Sequence, residues 1–200
     1  MKQSNLILAI AVLAAVVALA NTVIVLQKSE DVRSIVGHAS KEGTAQLEVL
    51  SNVAINFTND VIDWGSGMHS NGTETATLDS EGTVTGGNWS TVATGLVLEN
   101  NGNVNASIDL KAAKDPSQFI GGTTPGYSWK LNQDAEAGSC SGTLSDTTYT
   151  TVSNADKTVC SEMRFESGND ELEIDIQVVI PEDTPKEAKS DTITATATAA

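Results

Sequence analysis

The chain is poor in the residue types that catalysis and nucleic-acid binding draw on. It has two histidines, His38 and His69, two cysteines, and eleven Lys/Arg against 26 Asp/Glu, for a net charge of −15 at pH 7. That balance excludes the basic footprint a nucleic acid requires. No nucleophile elbow and no glycine-rich phosphate loop ahead of a helix is present. No Ser or Cys stands in sequence beside a plausible base, so hydrolase chemistry has no candidate and the chain reads as non-enzymatic, with no cofactor and no metal. After Leu26 no stretch is apolar enough to span a bilayer, and no internal repeat has a convincing period.

What is present divides into two materials joined end to end. The first 26 residues carry one charged side chain, Lys2, whereas the remaining 174 hold ten Lys/Arg and all 26 Asp/Glu, a net −16. Leu6 to Leu26 is a run of 21 residues interrupted only by Asn21 and Thr22. As a helix it would extend about 31 Å at about 1.5 Å per residue, close to a hydrocarbon core of about 30 Å. The expectation for 1–26 is a retained transmembrane anchor. A secretory signal cut after Ala18-Leu19-Ala20 is the alternative, and a buried helix of a soluble protein is a third. The first two both place the amino terminus on the cytoplasmic side and export the acidic remainder. Residues 27–43 read as a polar juxtamembrane stalk, with Val32, Ile35 and Val36 at helical spacing.

From Thr44 the apolar period becomes two. Leu47 and Val49, then Val53, Ile55 and Phe57, alternate with small or polar residues, as do Leu172, Ile174, Ile176, Val178 and Ile180, which predicts strands with one buried face. Thr192–Ala199 alternates Thr with Ile or Ala. Further strands are expected at Glu74–Leu78, Gly95–Glu99, Val104–Leu110, Tyr127–Leu131, Thr148–Val152 and Val159–Phe165. Asn100-Asn101-Gly102-Asn103 is the chemistry of a tight hairpin turn, and Asp115-Pro116-Ser117-Gln118 that of a single helical turn. Many short strands with almost no helical pattern indicate an all-β, antiparallel sandwich over 44–200.

Within that domain Cys140 and Cys160 are most economically a disulfide, as in exported proteins generally. Closing the Ser/Thr/Gly-rich segment between them would staple a loop on the outside of the sandwich. Four sequons, at Asn56, Asn71, Asn88 and Asn105, are possible N-glycosylation sites. Asp170, Glu171, Glu173 and Asp175, with Asp79 and Glu81, carry oxygen ligands suited to calcium; the alternation instead sets Glu171, Glu173 and Asp175 on a solvent face, and the loop spacing of a calcium-binding hand is not there. Trp64 and Trp129 are expected in the core. Trp89, beside Gly86-Gly87, is the one aromatic suited to contact a sugar or a partner.

The segment Gly95-Leu96-Val97-Leu98-Glu99-Asn100-Asn101-Gly102-Asn103-Val104-Asn105 resembles the strand–turn–strand of immunoglobulin-like modules in archaeal surface proteins. Ile180-Pro181-Glu182-Asp183-Thr184-Pro185 followed by Thr192-Ile193-Thr194-Ala195-Thr196 is similar to their closing strands. The resemblance spans about 110 residues and implies an immunoglobulin-like antiparallel β-sandwich at a cell surface. The other end, an apolar helix through Asn21-Thr22 and Leu26-Gln27-Lys28 into a β domain, looks like archaeal pilins and archaellins. Their helices bundle in a filament core. Lys2-Gln3-Ser4-Asn5 does not match their usual processing site. The expected protein is thus a single-pass, non-enzymatic structural or adhesive surface protein, whose partners are the bilayer (or identical helices in a filament) and envelope glycans or other surface proteins. A carbohydrate-binding module is a further alternative.

Overall fold

A computed structural model of the chain describes Leu19 and residues 45–200. Apart from Leu19, the expected anchor at 6–26 lies outside the described residues, as do the stalk at 27–43 and His38, and among those described no helix is long and apolar enough to cross a membrane. The chain divides into two units between Glu48 and Val49, and the second, Val49–Ala200, holds every described strand.

That unit is built from ten antiparallel strands: β1 (Asn56–Asn59), β2 (Thr75–Asp79), β3 (Val84–Thr85), β4 (Leu96–Glu99), β5 (Ala106–Ala112), β6 (Gly126–Asn132), β7 (Thr150–Thr151), β8 (Lys157–Met163), β9 (Glu171–Pro181) and β10 (Ile193–Ala199). One four-residue helix, α1 (Pro116–Phe119), precedes β6. Its start is written in the sequence. Asp115 accepts from the Gln118 amide, the Gln118 side chain accepts from the Asp115 amide, and Pro116 occupies the first turn, as a capping box requires.

Seven strands form one sheet around β9, and β10, β5 and β8 form a second, in that order. The eleven residues of β9 run against β6 on one side. On the other side they run first against β4, through Leu96↔Ile174, and then against β2, from Asp79↔Gln177. β1 extends β4, β3 extends β2 and β7 extends β6. One apolar cluster draws on both sheets: Leu78, Leu98, Trp129, Leu131, Leu172, Ile174 and Val178 from the first, Ile108, Leu110, Val159 and Met163 from the second, all nearly inaccessible. Such apolar burial contributes about 1.5–3 kcal/mol per large side chain.

Trp129 occupies the core as expected, and Trp64 packs half-buried against it. The strand expectations for β2, β4, β5, β6, β8, β9 and β10 hold to within a few residues at each end; Thr148–Val152 contracts to the two residues of β7, and β3 has no counterpart in the sequence pattern.

Four expectations are corrected. Residues 45–55 are not a strand, and Leu47 and Val49 are 90% and 75% exposed. Their neighbours bond to a single loop residue rather than to a strand: the Asn52 amide donates to Asn103 Oδ1, the Asn103 amide donates to the Asn52 carbonyl, and Asn103 Nδ2 donates to the Leu50 carbonyl. Alternation without a partner strand makes no sheet. Second, Asn100–Asn103 is not a hairpin turn, because β4 and β5 lie in different sheets. Asn100 is fully buried and its Nδ2 donates to the carbonyls of Val104 and Met163, so it serves as a crossover post between layers. Third, the Cys140–Cys160 disulfide is not itself at the surface: Cys160 is inaccessible and both cysteines belong to the core, while the segment it holds lies over the edge of β8. Fourth, Asp175 is not on a solvent face but 1% exposed.

Candidate functional site

The burial of Asp175 follows from the place where β9 changes partners. β4 stops opposite Ile174 and β2 begins opposite Gln177, which would leave the main chain of Ile176 without a ladder. Ser80, just beyond β2, fills the gap. Its amide donates to the Ile176 carbonyl at 2.9 Å, and its hydroxyl accepts from the Ile176 amide at 3.0 Å. The hydroxyl proton then needs an acceptor, and Asp175 Oδ1 supplies it at 2.8 Å. Gly95 completes the joint, since a Cβ there would stand 2.6 Å from the Ile174 carbonyl oxygen and 3.0 Å from Asp175 Oδ1.

A layer of polar side chains covers the carboxylate. Asn132 donates to Asp175 Oδ2 at 2.6 Å, Lys130 lies 3.5 Å from the same oxygen and 2.6 Å from Glu81, and the Tyr149 hydroxyl donates to Glu81 at 2.9 Å. Burial works against the Lys130 charge, but the Glu81 hydrogen bond and the Asp175 carboxylate outweigh it, so its pKa is raised. The hydrogen bond from Lys130 lowers the pKa of Glu81. Burial first, then Glu81, pushes the Tyr149 phenol up. These groups satisfy one another. Ser80 both donates and accepts within the joint, so it is no free nucleophile, and the arrangement is a structural clasp.

The other acidic candidates are likewise spent on the fold. Asp79 Oδ1 caps the following turn by accepting from the Glu81 and Thr83 amides. Glu171 accepts from the Thr58 hydroxyl and Glu173 from the Gly95 amide. Asp170 is buried beside Glu136, which accepts from the amides of Asp170 and Glu171. Burial first, then the Glu136 carboxylate, raises the Asp170 pKa. Among the described residues no group of three His, Cys, Asp or Glu is placed to hold a metal ion.

The sequons differ in exposure. Asn56, Asn71 and Asn88 are exposed, Asn71 at a turn, whereas Asn105 is half-buried and its Nδ2 donates to Glu162 at 2.8 Å. Trp89 is half-buried rather than free: a Cβ on Gly67 or Gly87 would fall 2.4 or 2.2 Å from its ring, and His69 meets it edge-on at 5.6 Å. The glycines are there because the ring lies on their backbone. Trp89, the four sequons and the Cys140–Cys160 bond do not converge on one site.

An open groove lined by Glu74, Thr75, Thr123, Thr124, Glu182 and Asp183 has no signature in the sequence. Its Gly121-Gly122-Thr123-Thr124 wall carries positive φ at both glycines and at Thr124, 58°. Asp183 holds that wall by accepting from the Thr123 amide and hydroxyl, contacts that keep its carboxyl below the usual range. Asp183 follows Pro181 in the sequence, and nothing local marks it as the partner of a loop sixty residues earlier.

Neither family models, nor curated proteins, nor solved structures yield a match to this chain.

Proposed function

We propose that the chain is a non-enzymatic structural or adhesive protein of a cell surface, anchored in the membrane by 6–26 and presenting an immunoglobulin-like domain outside. One observation carries this reading: a 21-residue apolar run, Leu6–Leu26, is fused to an acidic remainder. Such a run, as a helix, would prefer lipid, and the domain, with its net negative charge, would stay soluble beyond it. The buried disulfide supports export, since such bonds persist in oxidising compartments. The spending of Ser80, Asp175 and the other acidic groups on bonds within the fold supports a scaffold over a catalyst. Asn71, exposed at a turn, is the sequon best suited to carry a glycan, and Asn105 the least.

Protease added to whole cells tests the topology: a C-terminal tag should be cleaved without lysis, and both cysteines should resist alkylation until reduced. A tag protected until lysis, with alkylatable thiols, overturns it. The filament reading has its own support in the exposed Leu47, Val49 and Leu50, apolar side chains suited to a packed environment. Filaments in sheared fractions would favour it over a solitary anchor.

A further inference from the structure

Backbone edges are where β proteins meet one another, and most edges here are protected. Among the described residues, β3 and β7 are two residues long, and β1 is four residues with its register broken between Phe57 and Asn59. The outer edge of β8 is covered by the segment that Cys140 holds in place: the Ser141 and Ser145 amides donate to Glu162 and Val159, and Ser161 donates to Thr143. These are the usual defences of short length, irregularity and cover.

β10 has none of them. It pairs with β5 over seven consecutive residues, Ile193↔Ala112 to Ala199↔Ala106, without a bulge, and no other described strand lies on its far side. Thr192–Ala200 contains no charged side chain and no proline. The direction of its main chain is fixed by two bonds: the Ala200 amide donates to the Asn105 carbonyl, and the Ala113 amide donates to the Thr192 carbonyl. Even-numbered residues therefore address β5. Because alternate residues point to opposite edges, Ile193, Ala195, Ala197 and Ala199 offer their N–H and C=O groups outward.

We propose that this edge pairs with the same edge of a second copy, antiparallel about a two-fold axis at Thr196. The sequence Ile-Thr-Ala-Thr-Ala-Thr-Ala reads nearly the same in both directions. A centre at Thr196 sets Ala195 against Ala197 as a hydrogen-bonded pair, Ile193 against Ala199, and the exposed Thr194 against Thr198. Like meets like on both faces, and Thr–Thr cross-strand pairs are favourable. Charge selects this edge as well. On a chain of net −15 most surfaces repel their own copies, and an uncharged strand is where two can approach. The result is a continuous six-stranded sheet, β8-β5-β10 joined to its symmetry mate. This goes beyond the anchoring reading and stands without it.

The test uses the full chain in detergent and in reconstituted bilayers, with cysteine pairs as reporters. Thr196 meets itself as a non-hydrogen-bonded pair, where Cα atoms stand about 4.5 Å apart, so Thr196→Cys should form a disulfide-linked dimer under mild oxidation. Thr91→Cys, at an exposed loop position, should not. The double variant Thr194→Cys/Thr198→Cys should also cross-link, and adding Thr196→Lys should slow it about fivefold or more by setting two ammonium groups face to face. Thr196 is exposed, so circular dichroism should be unchanged. The proposal is overturned if Thr196→Cys links no faster than Thr91→Cys, or if Thr196→Lys leaves the double variant unaffected. An intramolecular link from Thr196→Cys to a cysteine placed in 27–44 would overturn it too, by giving the edge to this chain's own segment. Because these links are read with or without a bilayer, they fail or succeed independently of the topology experiment.

Discussion

Replacing both cysteines by alanine should cost about 3 kcal/mol of stability. The bond joins positions 20 apart, and releasing a loop of that size returns about 11 cal/mol/K of chain entropy to the unfolded state, or about 3 kcal/mol at 25 °C. Alanine is the right replacement because Cys160 is inaccessible and Cys140 7% exposed; serine would add a buried hydroxyl without a partner. For a domain of this size the loss corresponds to about 6–12 °C in Tm. Urea unfolding of the full chain, followed by the fluorescence of the buried Trp129, gives the free energy directly. A second consequence separates this account from a purely local one. The bond holds Ser139–Ser145 over the outer edge of β8 through the bonds to Glu162, Val159 and Ser161, so amides of β8 should exchange faster in the double variant. A loss below about 1 kcal/mol, with β8 exchange unaltered, would refute the reasoning, since the loop entropy would then be recovered elsewhere.

Two further perturbations probe buried charge. Asp170 has its pKa raised by burial and by Glu136, so the fold favours its protonated form: that stability is gained as pH falls through the raised folded-state pKa, and ionised Asp170 opposes folding above it. Asp170→Asn should therefore raise Tm at pH 7, with the advantage shrinking as the solution is acidified; an advantage independent of pH would contradict the assignment. Asp146 accepts from the Trp129 indole at 2.8 Å and from Lys157 at 2.7 Å. Asp146→Ala leaves an inaccessible indole donor unpaired and should cost about 1–3 kcal/mol by urea denaturation. An unchanged midpoint would show that water replaces the carboxylate.

How much of this is legible in the sequence depends on the source of each feature. β9 and β10 are visible because one strict alternation runs through each of them, and α1 because its cap is local. The cysteine pair is visible by counting. Asp175 is misplaced for the reason that makes its strand visible: period two assigns a face, and both faces of a central strand can be covered, one by the apolar core and the other by Lys130, Glu81, Asn132 and Tyr149. These residues come from other strands and loops far along the chain, so no local window contains the layer. Asn101-Gly102 carries the turn propensity of Asn-Gly, which is real, but turn chemistry does not say whether the chain returns to the same sheet or crosses to the other. Leu47 and Val49 show the converse: alternation is necessary for a half-buried strand and insufficient without a partner.

The joint at Ser80, Gly95 and Asp175 explains why a charge is tolerated at the centre of an apolar sheet. A buried ion pair is weak ground for stability, because desolvation of both partners offsets their attraction. What the joint supplies is register. β9 must pass from β4 to β2 between Ile174 and Gln177, and a slip of one residue by either partner would turn that partner's buried apolar set, Leu96 and Leu98 of β4 or Ala76 and Leu78 of β2, away from the core. Ser80 bonds the main chain of Ile176 through both its amide and its hydroxyl, and that hydroxyl is oriented by Asp175 alone. A shifted β2 would bring Glu81 or Asp79 to the gap, and neither carboxylate can donate to Asp175. The closeness of Gly95 to the Ile174 carbonyl excludes any larger residue from the end of β4, which fixes the other partner. Three residues, two short polar side chains and a glycine, thus decide how two strands share one, and Lys130 lies over them with its positive charge facing the Asp175 carboxylate.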